Sequence, residues 1–263
     1  MNDISGISKN KKDGKNTSWG KVADWYHDLL KDDAGTYQKE VILPNLLRAM
    51  SIKTDETILD LACGSGYFAR EFAKSGVKIL ACDISPELIE IAKKNSPKEI
   101  DFFDCPAEKI SKITDKSVDK ISIILAIQNI ENLAGVFKEC SRVLKTGGKL
   151  FLVLNHPVLR IPQKSHWGFD EENKIQYRRL DAYMSDSKAE IEMRPGMKTG
   201  EKTFSFHRPL QVYFKALRKN GFFVSGLEEW ISHKKSQTGV RQKAEDLARK
   251  EFPMFLFLEA IKN

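Results

Sequence analysis

The segment Ile58-Leu59-Asp60-Leu61-Ala62-Cys63-Gly64-Ser65-Gly66-Tyr67-Phe68-Ala69 constrains the fold more than any other part of this 263-residue chain. Its first residues form a short apolar run that is typical of a buried parallel strand. Two glycines then permit a tight loop, and Tyr67 begins a helical pattern that continues to about Ser75. A strand, a glycine loop and a helix in this order predict a nucleotide-type site.

Two kinds of ligand are compatible with the glycine loop alone. Gly64, Gly66 and Ala69 match the loose dinucleotide pattern G-x-G-x-x-G/A, and Asp83 follows at the distance where that pattern places a ribose-binding acid. Asp60, however, stands just before the loop, where its carboxylate would repel a pyrophosphate. S-adenosylmethionine (SAM) has no phosphate and carries an ammonium and a sulfonium, so it suits an acid at this position.

The motif D-L-A-C-G-S-G, from Asp60 to Gly66, resembles the D-x-x-x-G-x-G motif of class I SAM-dependent methyltransferases. Three later segments resemble further motifs of that family in the same order: A-C-D-I-S-P-E-L-I-E-I-A from Ala81, F-D-C-P-A-E from Phe103 and R-V-L-K-T-G-G-K-L from Arg142. The resemblance covers roughly residues 58–154 and is closest to the small-molecule branch that is similar to ubiquinone and menaquinone methyltransferases. It implies SAM as the cofactor and S-adenosylhomocysteine (SAH) as the product.

The resemblance also implies which residues bind the cofactor. Asp83 would receive both ribose hydroxyls, the segment from Asp104 would lie along the adenine edge, and Gln128 would face the methyl donor. The full expected set is Asp60, Ala62, Gly64, Ser65, Gly66, Asp83, Ile84, Asp104, Cys105 and Gln128.

From Ile58 onward, short apolar runs alternate with amphipathic stretches, which predicts a parallel sheet covered by helices on both faces. The expected strands are Thr57–Leu61, Lys78–Cys82, Ile100–Phe103, Val118–Leu125, Lys149–Leu154, Phe222–Glu228 and Met254–Ile261. The family resemblance makes this a Rossmann-like, doubly wound α/β fold with seven strands, the final one antiparallel. Helices are expected before the sheet, one of them restarting at Pro44, and one before the fifth strand that ends at Thr146-Gly147-Gly148.

The chain divides into five predicted parts. Residues 1–18 are polar and predict a disordered tail. Residues 19–56 predict helices, and the family resemblance implies that they form a lid, in which Trp25 or Tyr26 could lie over the cofactor; simple helix packing is an equal alternative. Residues 57–154 are the expected SAM-binding core. Residues 155–207 are too long for a simple connection and predict a substrate cap, within which 175–183 could form a hairpin or a helix. Residues 208–263 complete the sheet.

The acceptor is expected to lie under this cap, where aromatic rings would stack on it and arginines would hold an anionic group. The expected substrate residues are Tyr26, Asn129, Arg160, Trp167, Arg178 and Arg208. Methyl transfer from a sulfonium is an in-line displacement that depends mainly on alignment, and a base assists some acceptors. His156 is the first candidate for that base and His207 the second, with no metal.

Composition leaves two other functions open. The formal net charge is +7 and the pI about 9.1, which permits an RNA methyltransferase, and the loose glycine motif permits a non-catalytic SAM- or NAD-binding module.

The apolar runs are too short to cross a bilayer and residues 1–18 lack a signal-peptide core, so we expect a cytoplasmic protein. The four cysteines form no C-x-x-C pair, which favours reduced thiols over disulfides or zinc. The sequence does not determine the oligomeric state.

Overall fold

The computed structural model describes residues 19–31, 35–193 and 200–263, so the tail predicted for residues 1–18 lies outside the described residues. The helices are α1 (Ala23–Lys31), α2 (Leu43–Met50), α3 (Tyr67–Ala73), α4 (Pro86–Lys94), α5 (Leu133–Val143), α6 (Leu210–Lys219) and α7 (Gln242–Glu251). The strands are β1 (Thr57–Leu61), β2 (Lys78–Asp83), β3 (Asp101–Asp104), β4 (Val118–Ile124), β5 (Leu144–Asn155), β6 (Ser165–Asp170), β7 (Ile175–Leu180), β8 (Ser187–Glu192), β9 (Lys202–His207), β10 (Phe222–Trp230) and β11 (Phe255–Lys262).

Seven strands form one sheet in the order β10-β11-β5-β4-β1-β2-β3. Pairing is parallel from β5 through to β3, whereas β11 is antiparallel to both of its neighbours. The predicted α/β sheet with an antiparallel final strand is therefore confirmed. Since β1 lies between β2 and β4, the strand order reverses beside β1, and open α/β sheets bind ligands at the carboxyl ends next to such a reversal.

Helices cover both faces of the sheet, as the alternating pattern predicts. On one face, Phe137 of α5 and Leu217 of α6 are buried against the sheet. On the other, Phe72 of α3 and Ile89 of α4 are buried with residues of α2. Because β1 and β4 are covered on both sides, Leu59 and Ile121 in their centres are fully buried, as the short apolar runs in these strands predict.

The predicted break at Pro44 is present. Residues Gln38–Ile42 form a π-helical stretch that leads into α2, with the proline in the first turn of α2. A proline has no N–H to donate and its ring crowds the carbonyl four residues earlier, so the preceding residues adopt a wider turn. The Asn45 side chain donates to the Val41 carbonyl at 2.9 Å, which satisfies one of the acceptors in this stretch.

The expected end of the helix before the fifth strand is wrong by several residues. Helix α5 ends at Val143 and β5 begins at Leu144, whose backbone is extended. Gly147 has a φ of +77°, and the register between β4 and β5 shifts between Val118 and Lys120. The glycine pair therefore lies in an irregular start of the strand rather than in a helix cap.

The insertion after β5 contains two antiparallel hairpins, β6–β7 and β8–β9. Residues 175–180 form β7, so the hairpin alternative for this segment is correct and the helix alternative is wrong. The second hairpin lies against a 3-10 turn, Ile127–Asn129, that follows β4. In the ranges that the structure describes, no helix has both the length and the apolar character needed to span a bilayer.

Candidate active site

The loop after β1 is fastened to the end of β2 by backbone hydrogen bonds. Cys63 N–H donates to the Cys82 carbonyl at 3.0 Å, and Gly64 N–H donates to Oδ2 of Asp83 at 2.9 Å. Ala62 adopts a left-handed backbone with φ of +60°, which is unfavourable for a residue with a Cβ. The hydrogen bonds of Cys63 and Gly64 to the end of β2 therefore hold the strained backbone at Ala62 in place.

Gly66 serves packing rather than ligand approach. It precedes α3 with a φ of +78°, and a Cβ there would lie 2.9 Å from the Phe102 ring and 3.1 Å from Ala92. The absence of a side chain lets α3 begin close to α4 and β3. The second glycine of the motif thus fixes the helix that closes one side of the site.

A cavity of about 260 Å³ opens at the carboxyl ends of β1, β2 and β4, and we name it the first cavity. Its described lining consists of Trp19, Asp60, Ala62, Cys63, Gly64, Tyr67, Phe68, Asp83, Ile84, Leu88, Cys105, Ala107, Glu108, Ile124, Leu125, Ala126, Asn129, Ile130 and Glu131. The lining is mainly apolar, with two buried carboxylates at its base. Ligand pockets commonly combine such an apolar wall with a few polar groups.

Asp60 is the first of these carboxylates. It is 2% exposed, and the register of β1 with β4 places it opposite Ser122, whose hydroxyl donates to Oδ1 at 3.0 Å. Oδ2 is buried and has no hydrogen-bond partner among the described residues. Burial raises the pKa of Asp60 to about 7, and the charge of Asp83 adds to this effect, while hydrogen bonds from the Ser122 hydroxyl and the Ala69 backbone oppose it. A buried, unpaired carboxylate oxygen favours a cationic ligand group.

Asp83 is the second carboxylate. Its Oδ2 accepts from Gly64 N–H and its Oδ1 from Ser85 N–H, each at 2.9 Å. Burial raises the pKa of Asp83, and these two backbone donors oppose the rise. Each carboxylate oxygen has a further lone pair, so the group is oriented by the protein and can still accept from ligand hydroxyls.

The structure brings six of the ten expected cofactor residues into the first cavity: Asp60, Ala62, Gly64, Asp83, Ile84 and Cys105. Ser65 and Gly66 come later in the same loop and do not line the cavity. The Ser65 hydroxyl is buried and has no hydrogen-bond partner in the described chain. Asp104 does not line the cavity, and its Oδ1 lies 4.0 Å from Nζ of Lys112. For Ser65, Gly66 and Asp104, the expected role in cofactor binding stays a prediction.

Gln128 also lies outside the first cavity. Its Nε2 donates to the Leu125 carbonyl at 2.7 Å, and its side chain lines a second cavity on the other side of the 3-10 turn. Asn129, expected at the substrate, lines the first cavity instead. Leu125 directly follows β4 and has a φ of +54°. A residue with a left-handed backbone therefore follows β4, just as Ala62 follows the neighbouring strand β1.

The second cavity, of about 280 Å³, lies between the 3-10 turn and the insertion. Three of the expected substrate residues line it: Arg160, Arg178 and Arg208. His207 also lines it, and its Nε2 donates to the Tyr183 carbonyl at 2.7 Å. The sequence therefore identified a group of cationic side chains that the fold brings together.

His156 lines neither cavity in the described structure. Its ring is 4% exposed and Nε2 lies 2.7 Å from Oε1 of Glu229 in β10. Burial lowers the pKa of His156, and Glu229 opposes that effect. The ring is turned toward β10 and away from the cofactor loop, which the sequence does not reveal because Glu229 is remote in the chain.

Trp167, another expected substrate residue, lines neither the first nor the second cavity. The Trp167 ring is 45% exposed, stacks edge-on with Phe252 and lies 5.1 Å from the Arg178 guanidinium. Trp167 lies in β6 of the first hairpin and therefore packs between Arg178 of β7 and Phe252, the residue after α7. The side chain of Tyr26 lies outside the described residues.

Sequence reasoning missed several residues of the first cavity. Trp19 reaches it because Gly20 packs directly on Glu87 of α4, where a Cβ would collide with the carboxylate. Tyr67 follows the glycine loop immediately, and Glu131 lies two residues beyond Asn129. Their positions next to predicted residues were the only local signal for them.

Known proteins resemble this chain over the region that builds the first cavity. A family model described as a methyltransferase domain matches residues 59–152. A demethylmenaquinone methyltransferase from Chlorobaculum tepidum is 34% identical over 131 residues, which cover 49% of this chain and 53% of that protein. A ubiquinone biosynthesis O-methyltransferase from Xanthomonas oryzae pv. oryzae is 29% identical over 98 residues, covering 36% of this chain and 41% of that protein.

A solved structure extends the similarity beyond that region. The S-adenosylmethionine-dependent methyltransferase from Mesorhizobium loti superposes with a TM-score of 0.66 at 25% identity, covering 83% of this chain and 96% of that one. By contrast, the chain spans about half the length of the curated relatives it matches. The shared part contains the glycine loop and both buried carboxylates, whereas the whole insertion falls outside the methyltransferase-domain match.

Proposed function

Because this chain contains, over residues 59–152, a methyltransferase domain of the class I, SAM-dependent family, we propose that the protein transfers the methyl group of SAM to a small-molecule acceptor. The observation that carries this proposal is the pair of buried carboxylates in the first cavity. Asp60 has an unpaired oxygen for a cationic group, and Asp83 is oriented to accept from hydroxyls. SAM has both kinds of group.

The residues of the first cavity fit this cofactor. Asp60 would neutralise positive charge, Asp83 would hold the ribose, and Ile84, which is 49% exposed at the cavity, would cover one side of the adenine. Two buried carboxylates in one cavity oppose the approach of a pyrophosphate, so the same residues disfavour NAD. When bound, SAM supplies an electrophilic methyl group on a sulfonium.

The protein's own contribution to the reaction is alignment and exclusion of water. The 3-10 turn Ile127–Asn129 and the strained Leu125 place Asn129 on the wall of the first cavity. Trp19 and Tyr67 line other parts of that cavity with aromatic surface. A site that holds the acceptor in line with the reacting bond can supply much of the acceleration without a dedicated base.

We propose a ring compound of the quinone or quinone-precursor type as the acceptor. The names of the curated relatives, one a demethylmenaquinone methyltransferase and one a ubiquinone biosynthesis O-methyltransferase, support this class. The aromatic and apolar lining of the first cavity suits a flat ring. An RNA acceptor is less favoured, because Arg178 lies over the ring of Trp167 and Arg241 over the ring of Phe169. These cations and rings contact each other and are not both free for phosphates and bases.

The proposal is tested by thermal shift and calorimetry with SAM, SAH and NAD added separately. We expect SAM and SAH to raise the melting temperature of the wild-type protein and NAD to leave it unchanged. Asp83→Asn should lose most of the shift, while Asp55→Asn, an exposed turn substitution, should retain it. Stabilisation by NAD and not by SAH would contradict the proposal.

A further inference from the structure

The second cavity has an unusual charge distribution. Arg160, Arg178 and Arg208 line it, and no aspartate or glutamate occurs among its described lining residues. Guanidinium groups stay protonated in proteins, so the cavity wall carries positive charge that its own lining does not balance. Such a concentration of cations favours an anionic ligand.

Arg208 is the most buried of the three arginines that line this cavity. Its side chain is 8% exposed, and Nη2 donates to the carbonyls of Ile130 at 2.8 Å and Glu131 at 2.7 Å. Nη1 is buried and makes no hydrogen bond to any described residue. Burial raises the pKa of Tyr213, and the charge of Arg208 together with a side-chain hydrogen bond between the two residues opposes that rise. A buried cation whose acceptors are all neutral is costly, and an anionic oxygen would reduce that cost.

Gln128 presents an unused acceptor to the same cavity. Its side chain is 9% exposed, and Nε2 must be the atom at the Leu125 carbonyl, because only the amide nitrogen can donate there. Oε1 is therefore assigned, and it is buried without a partner in the described chain. The cavity thus holds one unsatisfied cationic donor and one unsatisfied neutral acceptor.

The other two arginines are fixed by the protein. Arg160 Nη1 donates to Oδ1 of Asn155 at 2.9 Å, and Arg178 donates to the Leu159 carbonyl at 2.9 Å and the Ser165 hydroxyl at 2.8 Å. Burial, followed by the charge of Arg160, lowers the pKa of Arg178, which shows that the two cations repel each other. Both supply positive potential at the cavity from fixed positions.

We infer that the second cavity is a binding site for a small organic carboxylate that also carries a hydroxyl or amino donor. The carboxylate would accept from Nη1 of Arg208, and the donor would satisfy Oε1 of Gln128. Nothing in the methyltransferase-domain match covers Arg208 or the insertion. The carbonyls that Arg208 holds belong to Ile130 and Glu131, which line the first cavity, so the two cavities share one loop.

The test uses the full-length protein with benzoate, the three monohydroxybenzoates and the neutral amide benzamide, each titrated calorimetrically. We expect saturable binding of at least one hydroxybenzoate, with benzamide at least about tenfold weaker because it lacks the charge-assisted bond. Arg208→Gln should weaken hydroxybenzoate binding by at least about tenfold, whereas Arg218→Gln, an exposed substitution on α6, should leave it unchanged.

Gln128→Glu provides a second variant, because Arg208→Gln also loses two loop contacts. The glutamate keeps the size of the side chain, adds a negative charge and should abolish carboxylate binding. Circular dichroism and SAH titration check the fold of each variant. No saturable binding up to about 10 mM of any carboxylate, or wild-type affinity in both Arg208→Gln and Gln128→Glu, would overturn the inference.

Two further measurements distinguish a carboxylate that belongs to the methyl acceptor from one that belongs to a separate ligand. If it belongs to the acceptor, a hydroxybenzoate that binds will gain a methyl group in the presence of SAM, as seen by mass spectrometry. If it is a separate ligand, it will remain unmethylated and will change the affinity for SAH. This inference rests on the proposed methyltransferase function, whose failure gives a different result. In that case the wild-type protein would not bind SAH but would still bind hydroxybenzoate.

Discussion

Asp60 and Asp83 lie at the carboxyl ends of the neighbouring parallel strands β1 and β2 and line the same cavity. Burial, with the charge of Asp83 adding to it, raises the pKa of Asp60 to about 7. The two acids are therefore held at a cost to stability when both are ionised. Their arrangement is understandable as a site for a ligand that brings positive charge and hydroxyl donors.

This cost predicts the pH dependence of Asp60→Asn. The folded-state pKa of Asp60 lies above its unfolded value of 3.8, so its contribution to stability is fully present below about pH 4 and is lost as pH rises through about 7. Asp60→Asn removes this titration and retains an acceptor for Ser122. We expect the variant to be more stable than the wild type above about pH 7, on the order of 2–3 kcal/mol.

Denaturant unfolding of the ligand-free protein across the pH range measures this difference. The stability of the variant relative to the wild type should increase as pH rises from about 4 to about 7 and then level off. A difference that does not change with pH would show that Asp60 titrates normally.

Asp83→Asn should weaken cofactor binding. The amide offers one acceptor oxygen where the carboxylate offers two, and it carries no charge to strengthen the bonds to ribose hydroxyls. We expect SAH affinity to fall by about 10- to 100-fold. Calorimetry on Asp83→Asn and on the exposed control Asp55→Asn measures the effect, and near-wild-type affinity in Asp83→Asn would argue against the ribose role.

Ala62→Gly should stabilise the ligand-free protein. Ala62 has a φ of +60°, where glycine avoids the Cβ clash that costs roughly 1 kcal/mol or more. Glycine also increases the entropy of the unfolded chain, so the expected net gain is about 0.5 kcal/mol. The control is Ala216→Gly inside α6, which should lose about 1 kcal/mol. Thermal unfolding compares the two, and equal losses would show that Ala62 is unstrained.

His156→Gln tests whether His156 acts as a base. The pKa of His156 is lowered by burial, so its contribution to stability is present above about pH 6.5 and is lost as pH falls below that value. Glutamine can still donate to Glu229, so the variant should match the wild type at about pH 7.5 and be more resistant to acid unfolding.

Methyl-transfer assays complete this test. Because His156 lines neither cavity, we expect His156→Gln to retain turnover within about twofold of the wild type. A loss of about 100-fold with unchanged SAH affinity would instead establish His156 as the general base.

The core of the fold and the first carboxylate were predictable because their signals are local. Asp60 and Gly64 lie within one short segment, and a buried strand followed by a glycine loop has few alternative structures. Asp83 could be assigned because it ends the next strand, and parallel strands end at the same edge of the sheet.

The direction of individual side chains was not predictable in this way. Gln128 and Asn129 are adjacent, yet they line different cavities, because successive residues of a tight turn point to different sides. His156 turns toward Glu229 through a contact between remote parts of the chain. Trp19 reaches the first cavity only because Gly20 fits against α4. These placements depend on tertiary packing that residue spacing does not encode.

Proton release on SAM binding reports whether Asp60 becomes ionised when it pairs with the cofactor. Calorimetric titration with SAM, in buffers of different ionisation heat, measures how many protons leave the protein on binding. Since the pKa of Asp60 is about 7 without ligand, we expect release of nearly one proton at about pH 6 and almost none at about pH 8. Asp60→Asn should release none at either pH. SAM binding without proton release from the wild-type protein at about pH 6 would contradict the account.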